Sequence, residues 1–191
     1  MAKTLSTMHL PIGEEAPSFI LPSTNGYGEV NLKDLNAEGY LIAFWCNHCP
    51  FVKHIATAFV EMIKHYQQKG IEVIVISSND VSEYPEDRPE KMTEAAQYWG
   101  FTFPYLYDES QDIAKKYYAA CTPDFFLFDK DKKLFYRGQM DSSRPGNDRP
   151  STGSDLKQAI DHLLAKKPLL EKFTPSMGCN IKWKKGNEPK F

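Results

Sequence analysis

Two cysteines separated by two residues, Cys46-Asn47-His48-Cys49, are the side chains of this chain best suited to do chemistry. At the start of a helix such a pair shares one face. Three residues of helix rise about 4.5 Å, which fits the Cα separation that a disulfide accepts. The open N–H groups of a first helical turn and the positive end of its dipole stabilise a thiolate there. Cysteine pKa values at such positions fall to roughly 3.5–7.5. The chemistry indicated is thiol–disulfide exchange: Cys46 attacks as a thiolate and Cys49 resolves the mixed disulfide. A protonated His48 between them would stabilise the Cys46 thiolate and make the disulfide more oxidising. Pro50 leaves two helix starts open, one at Pro50 with Cys49 as N-cap and one at Cys46. The same spacing also fits half of a metal site for Zn(II) or Cu(I), completed by Cys121, Cys179 or a histidine.

The flanking elements are those such a pair needs. Tyr40 to Trp45 is a continuous apolar run of strand length, suited to a strand buried on both faces. Behind the motif, Val52, Ile55, Ala56, Phe59, Val60, Ile63 and Tyr66 mark one face of a helix from Phe51 to Lys69, with Gly70 as its stop. Ile71 to Ile76 predicts a second buried strand, and Ser77 to Asp80 a polar loop. Further on, a breaker-rich stretch at Pro85–Pro89 leads into a helix from Glu90 to Trp99 closed by Gly100. A strand at Pro104–Tyr107, a short helix at Gln111–Tyr118 and a hairpin of Phe125–Phe128 with Leu134–Arg137 follow. Ser142 to Ser154 reads as a loop, Asp155 to Lys166 as an amphipathic helix, and 168–191 as a tail without periodicity. Upstream, Phe19–Leu21 predicts a short strand before a turn at Ser23–Gly28. Early alternation and a late hairpin indicate an α/β sheet of mixed strand direction.

With 191 residues, 41% of them hydrophobic, the chain can fill one compact core. A formal net charge of −2 offers no basic field for nucleic acid, and Lys182–Lys185, interrupted by Trp183, reads as solvated surface. The N-terminal residues lack the apolar core of a leader, and Tyr40–Trp45 is too short to span a bilayer. The expected setting is the cytosol, where four cysteines point to catalysis or metal binding rather than structural disulfides. Neither a cofactor, a resident metal nor a membrane or nucleic-acid partner is expected.

Several blocks resemble one family. Gly13 to Leu21 is similar to the Gly-x-x-Ala-Pro-x-Phe-x-Leu opening of the alkyl hydroperoxide reductase/thiol-specific antioxidant group within the thioredoxin-like superfamily. Cys46 to Lys53 and Gly178 to Trp183 resemble peroxiredoxin-like proteins with a Cys-Asn-His-Cys motif. Thr122-Pro123, ahead of Asp124 to Asp129, resembles the loop in which thioredoxin-fold proteins carry a cis-proline opposite the active site. The resemblance implies a thioredoxin-like fold, a central mixed β-sheet flanked by helices, with an N-terminal extension and a peroxiredoxin-type insertion at 79–118. It implies a redoxin domain over residues 1–167, with 168–191 packing on it or extending from it. Trp45, Asn47, His48, Thr122 and a cis Pro123 would support the site, Thr122 and Pro123 by presenting backbone to a substrate strand. Cys121 would face the motif as a candidate third thiol, with Cys179 the more remote alternative.

The implied substrate is a protein or small-molecule disulfide or a peroxide, with a thioredoxin or glutathione system as reducing partner. His48 implies a less negative potential than that of a Gly-Pro thioredoxin. A thiol peroxidase is the implied alternative, but the Pro-x-x-x-Thr-x-x-Cys frame is broken: with Cys49 aligned to the peroxidatic cysteine, Ile42 replaces the Pro and Cys46 the Thr. The buried carboxylate of thioredoxins is also missing from Tyr40–Trp45. His54 and His65 read as surface, and Arg137, Asp141 and Arg144 as salt-bridge or solvated groups near the 142–154 loop.

Overall fold

Apolar runs too short for ordinary helices, and rich in β-branched and aromatic residues, become the central strands. The computed structural model describes residues 3–168 and 172–191. In chain order it contains β1 (Lys3–Leu5), β2 (Ile20–Pro22), β3 (Glu29–Asn31), β4 (Gly39–Phe44), α1 (Pro50–Gln67), β5 (Ile71–Ser77), α2 (Pro89–Trp99), β6 (Tyr105–Tyr107) and α3 (Asp112–Lys116). There follow β7 (Cys121–Thr122), β8 (Asp124–Asp129), β9 (Leu134–Gly138), α4 (Ser154–Leu164) and β10 (Met177–Asn180).

The main sheet has the order β6-β5-β4-β8-β9. β4 runs parallel to β5 and antiparallel to β8, so the sheet is mixed. Both faces of β4 are covered, because side chains alternate along a strand. Leu41, Ala43 and Trp45 join Phe59, Ile63, Phe125 and Leu127 in the core beneath the helices. Tyr40, Ile42 and Phe44 join Phe19, Tyr117, Phe126 and Phe128 on the other face. The turn after α1 is made by Gly70 at φ +88°, and α2 ends on Gly100 at φ +70°, both in the left-handed region where glycine is unstrained. α3 is shorter than the sequence pattern because Gln111 and Tyr118 flank it at φ +67° and +53°.

A second sheet has no counterpart in the sequence reading. Its order is β1-β10-β7, both pairs antiparallel. It joins residues near either end of the chain to the short strand before Pro123, with Cys179 opposite both Lys3 and Thr122. The segment read as an aperiodic tail thus supplies its central strand; residues 169–171 of that segment lie outside the described residues. Among the described residues no helix is long and apolar enough to cross a membrane.

Candidate active site

β4 delivers the motif to the edge of the sheet. The Trp45 N–H still donates to Ile76 O at 2.8 Å, after which the chain turns across to α1. Pro50 occupies the first turn of α1 and Cys49 is its N-cap, with φ −66° and ψ 124°. Proline suits that place because its missing N–H is one the first turn leaves unbonded anyway. Of the two helix starts, the structure takes the one at Pro50, and both thiols lie in the connection.

A single residue organises the pair. Cys46 Sγ lies 3.2 Å from Thr122 Oγ1, and Cys49 Sγ lies 3.2 Å from the Thr122 carbonyl oxygen. The Thr122–Pro123 peptide is cis. A third sulfur completes the group, with Cys179 Sγ 2.8 Å from Cys49 Sγ. All three are buried, and no disulfide is formed. Cys121 sits one residue from Thr122, so its side chain points to the opposite face. Its sulfur approaches Pro123 O and Ser176 O at 3.8 and 3.9 Å. The structure therefore brings Cys179, rather than Cys121, against Cys49. One edge of β7 is paired with β10.

Charge is distributed unequally among these sulfurs. The Cys49 pKa is lowered to about 5, first by hydrogen bonding from Cys46, against the opposing effect of burial, and then by Cys179 and the Val52 N–H. Cys46 is pushed well above the usual thiol range by burial, then by its bond to Cys49 and by the Asp87 carboxylate. Cys179 is pushed up to about 12, by burial first and then by Cys49. Cys121 is also raised well above the usual range, chiefly by burial.

Asp87 is the residue that reading the sequence missed. It ends a 3-10 turn, Pro85–Asp87, and is fully buried. Its Oδ1 accepts the Asn47 N–H at 2.7 Å, and its Oδ2 accepts from His48 Nδ1 at 2.6 Å and Asn79 Nδ2 at 2.7 Å. The carboxylate absent from β4 is thus supplied from the insertion, and His48 is tied to it. The His48 ring also stacks on Tyr84 at 5.3 Å. Asn47 is held by Tyr105 Oη at 3.0 Å and by its own bond to Glu86 O at 2.9 Å. Cys46, His48 and Asp87 present donor atoms within 4.8 Å of one another, the only such group among the described residues. Cys49 does not belong to it, and both oxygens of Asp87 already accept hydrogen bonds, from Asn47, His48 and Asn79. Asp87→Asn is expected to move the Cys46 ionisation down toward the ordinary value of about 8.5, and to cost about 1–3 kcal/mol through the lost charged hydrogen bonds. Thiolate absorbance in a pH titration and urea unfolding would read the two effects; an unmoved Cys46 titration would detach Asp87 from the pair.

The remaining candidate residues pack and bond within the fold. Trp45 packs on Phe59 at 5.2 Å and on Trp99 at 6.0 Å, behind the motif rather than over the thiols. His54 Nε2 bonds Ser143 Oγ at 2.6 Å, and His65 packs on Tyr66. Asp141 accepts the Ser143 and Gly153 N–H groups at 2.8 and 2.7 Å, while Arg144 bonds Gln139 Oε1 and Asp141 O, so the 142–154 loop is internally braced. Arg137 is buried and donates to Leu10 O at 2.9 Å. It lies near Asp124, whose pKa burial raises to about 7.

Comparison with known proteins places this geometry among relatives. The profile of the AhpC/TSA family matches residues 12–137. Thiol-disulfide oxidoreductase ResA from Bacillus anthracis is 28% identical over 125 residues, covering 65% of this chain and 68% of ResA. The crystal structure of an uncharacterized conserved protein from Geobacillus kaustophilus matches with a TM-score of 0.93 and 48% identity, over 96% of this chain and 97% of the other. Peroxidoxin BcpB from Mycobacterium tuberculosis matches with a TM-score of 0.61 and 20% identity, over 82% of this chain and 98% of its own. That last likeness is one of fold: a thioredoxin-like mixed sheet flanked by helices.

Proposed function

The chain belongs to the AhpC/TSA family, and from that premise we propose that it is a thiol–disulfide oxidoreductase acting through Cys46 and Cys49. The observation that carries the reading is the arrangement of two thiols around Thr122, with Cys49 at the N-terminus of α1. The activity in the name of ResA supports the reaction class.

Spacing and the neighbouring His48 point to Cys46 as the attacking sulfur. The surroundings favour Cys49. As a thiolate, Cys49 accepts from Cys46, Cys179 and the Val52 N–H, against the Thr122 carbonyl oxygen 3.2 Å away, whereas Cys46 has only Thr122 lowering it and faces the full charge of a carboxylate. The Cys49 thiolate attacks a substrate disulfide, forming a Cys49–substrate bond as the first substrate thiolate leaves. A second thiol of the site then attacks Cys49 Sγ, its proton passing to the departing sulfur. The end state is a Cys46–Cys49 disulfide and two substrate thiols. His48 acts on this chemistry through Asp87, by sharing the charge that Cys46 faces.

A peroxidase reading has one observation in its favour. Cys49 is the position aligned with the peroxidatic cysteine, and it is also the sulfur most readily ionised. Against it stand Ile42 and Cys46, which replace the Pro and Thr of that frame.

Catalysis of insulin reduction by dithiothreitol tests the first reading, and peroxide consumption fed by a thioredoxin system tests the second. Acceleration of neither would remove both. The alkylation rate of Cys49 should be half-maximal near the pH where it ionises, about 5, falling below as the thiolate is protonated and staying level above. A profile centred on the ordinary thiol value of about 8.5 would return the attacking role to an open question.

A further inference from the structure

Cys179 reaches the site on a strand held from both sides. β10 pairs with β1 through Lys3↔Cys179 and with β7 through Cys179↔Thr122. Beyond it, the Ile181 N–H donates to Ala120 O at 3.0 Å and the Lys182 N–H to Asn79 Oδ1 at 2.8 Å. Gly178 permits the close approach to β7. A Cβ there would lie 1.9 Å from Thr122 O and 2.5 Å from Thr122 C. The result is a sulfur held opposite Thr122, the residue that organises Cys46 and Cys49. Its 2.8 Å distance to Cys49 Sγ is less than about 1 Å longer than a disulfide bond.

We propose that Cys179 is a third redox thiol, the one that releases substrate from Cys49, so that the site works as a relay of three sulfurs. This deepens the exchange reading and rests on it. After capture, Cys49 Sγ is bonded to a substrate sulfur. Cys179 Sγ attacks Cys49 Sγ, the Cys49–Cys179 bond forms, the Cys49–substrate bond breaks, and the Cys179 proton leaves with the substrate as its thiol. Cys46 Sγ then attacks Cys49 Sγ and gives its proton to Cys179. The Cys46–Cys49 disulfide remains and Cys179 is a thiol again. Two electrons pass to the substrate disulfide, as in the simpler scheme.

Capture itself changes which thiol is ready to act. In the resting site Cys179 is raised by burial and then by the neighbouring Cys49, while Lys182 lowers it. Once Cys49 is in the mixed disulfide its negative charge is gone, and the effect of Lys182 persists. Cys46 loses the same neighbouring charge but still faces Asp87. Cys179 also lies close enough, 2.8 Å from Cys49 Sγ, to need little reorganisation to react.

The test uses full-length Cys46→Ser protein and one equivalent of dithiobis(nitrobenzoate), which releases a coloured thiolate at each step. The relay predicts two thiolates per protein, no adduct mass, and a Cys49–Cys179 linked peptide. Adding Cys179→Ser, or Cys179→Ala as an independent variant, should halve the release to one thiolate and leave the adduct on Cys49. Adding Cys121→Ser should change nothing. A lasting adduct on Cys49 in the Cys46→Ser protein would overturn the relay while upholding Cys49 as the attacking sulfur, and so would a Cys49–Cys121 link. Release of no thiolate would bring down the exchange reading and the relay together. The decisive readout comes from protein with Cys179 intact, so it does not depend on how the Cys179 variants fold.

Discussion

Cys49→Ser is expected to abolish thiol–disulfide exchange completely, whereas Cys46→Ser is expected to keep the capture of substrate. A serine hydroxyl forms no disulfide, so a protein without its attacking sulfur retains only the uncatalysed rate. The asymmetry follows from position. Cys49 is the N-cap of an 18-residue helix, where open N–H groups and the dipole favour negative charge, while Cys46 is held beside the buried Asp87. Insulin reduction and single-turnover reaction with a chromogenic disulfide, run on both variants, would check this. An inert Cys46→Ser protein beside a Cys49→Ser protein that forms a stable adduct would restore the order that spacing and His48 indicated. Unchanged activity in both would end the assignment of the motif to redox chemistry.

Gly178→Ala is expected to destabilise the fold and to unlock the thiols at once. Elsewhere in a strand, alanine for glycine gains roughly 0.5–1 kcal/mol of backbone entropy. Here the added Cβ would meet the carbonyl group of Thr122, which is backbone and cannot swing aside. Overpacking of this kind costs about 1–3 kcal/mol, and more where backbone must move. The least costly relief is separation of β10 from β7, a contact made by only two residue pairs. The urea midpoint should fall, and Cys46, Cys49 and Cys179, now buried, should be alkylated faster than in the parent protein. Unchanged stability with equally protected thiols would show that β10 is not wedged where the structure has it.

What reading the sequence could and could not find divides along physical lines. β4, β5 and α1 were legible because burial imposes local patterns: continuous apolar runs for strands covered on both faces, and a 3.6-residue period for α1. The resemblance marked Thr122 and Pro123 from their neighbours in sequence. Asp87 was not legible. In Pro85-Glu86-Asp87 an acid looks like part of a solvated turn, and only Asn47, His48 and Asn79, folded over it, make burial of a carboxylate tolerable. β10 was invisible because Met177-Gly178-Cys179-Asn180 has no alternation, and its strand character comes from partners at residues 3–5 and 121–122. Cys121 is favoured by its place in the loop before Pro123 and Cys179 is set aside with the tail, whereas strand alternation turns the first away and pairing brings the second in. The order proposed for Cys46 and Cys49 rests on Asp87 and Cys179, neither of which has a place before the chain is folded.

The strand that completes the site is also among the last parts of it to be made. Cys179 follows Cys49 by 130 residues, which at roughly 5–20 residues per second takes about 6.5–26 s of translation. Until then a nascent chain holds Cys46 and Cys49, and from residue 122 onward β7 as well, without the cover β10 will provide. Any chain that stops short of residues 177–180 therefore carries the Cys46–Cys49 pair without its third sulfur and leaves β7 without its partner strand.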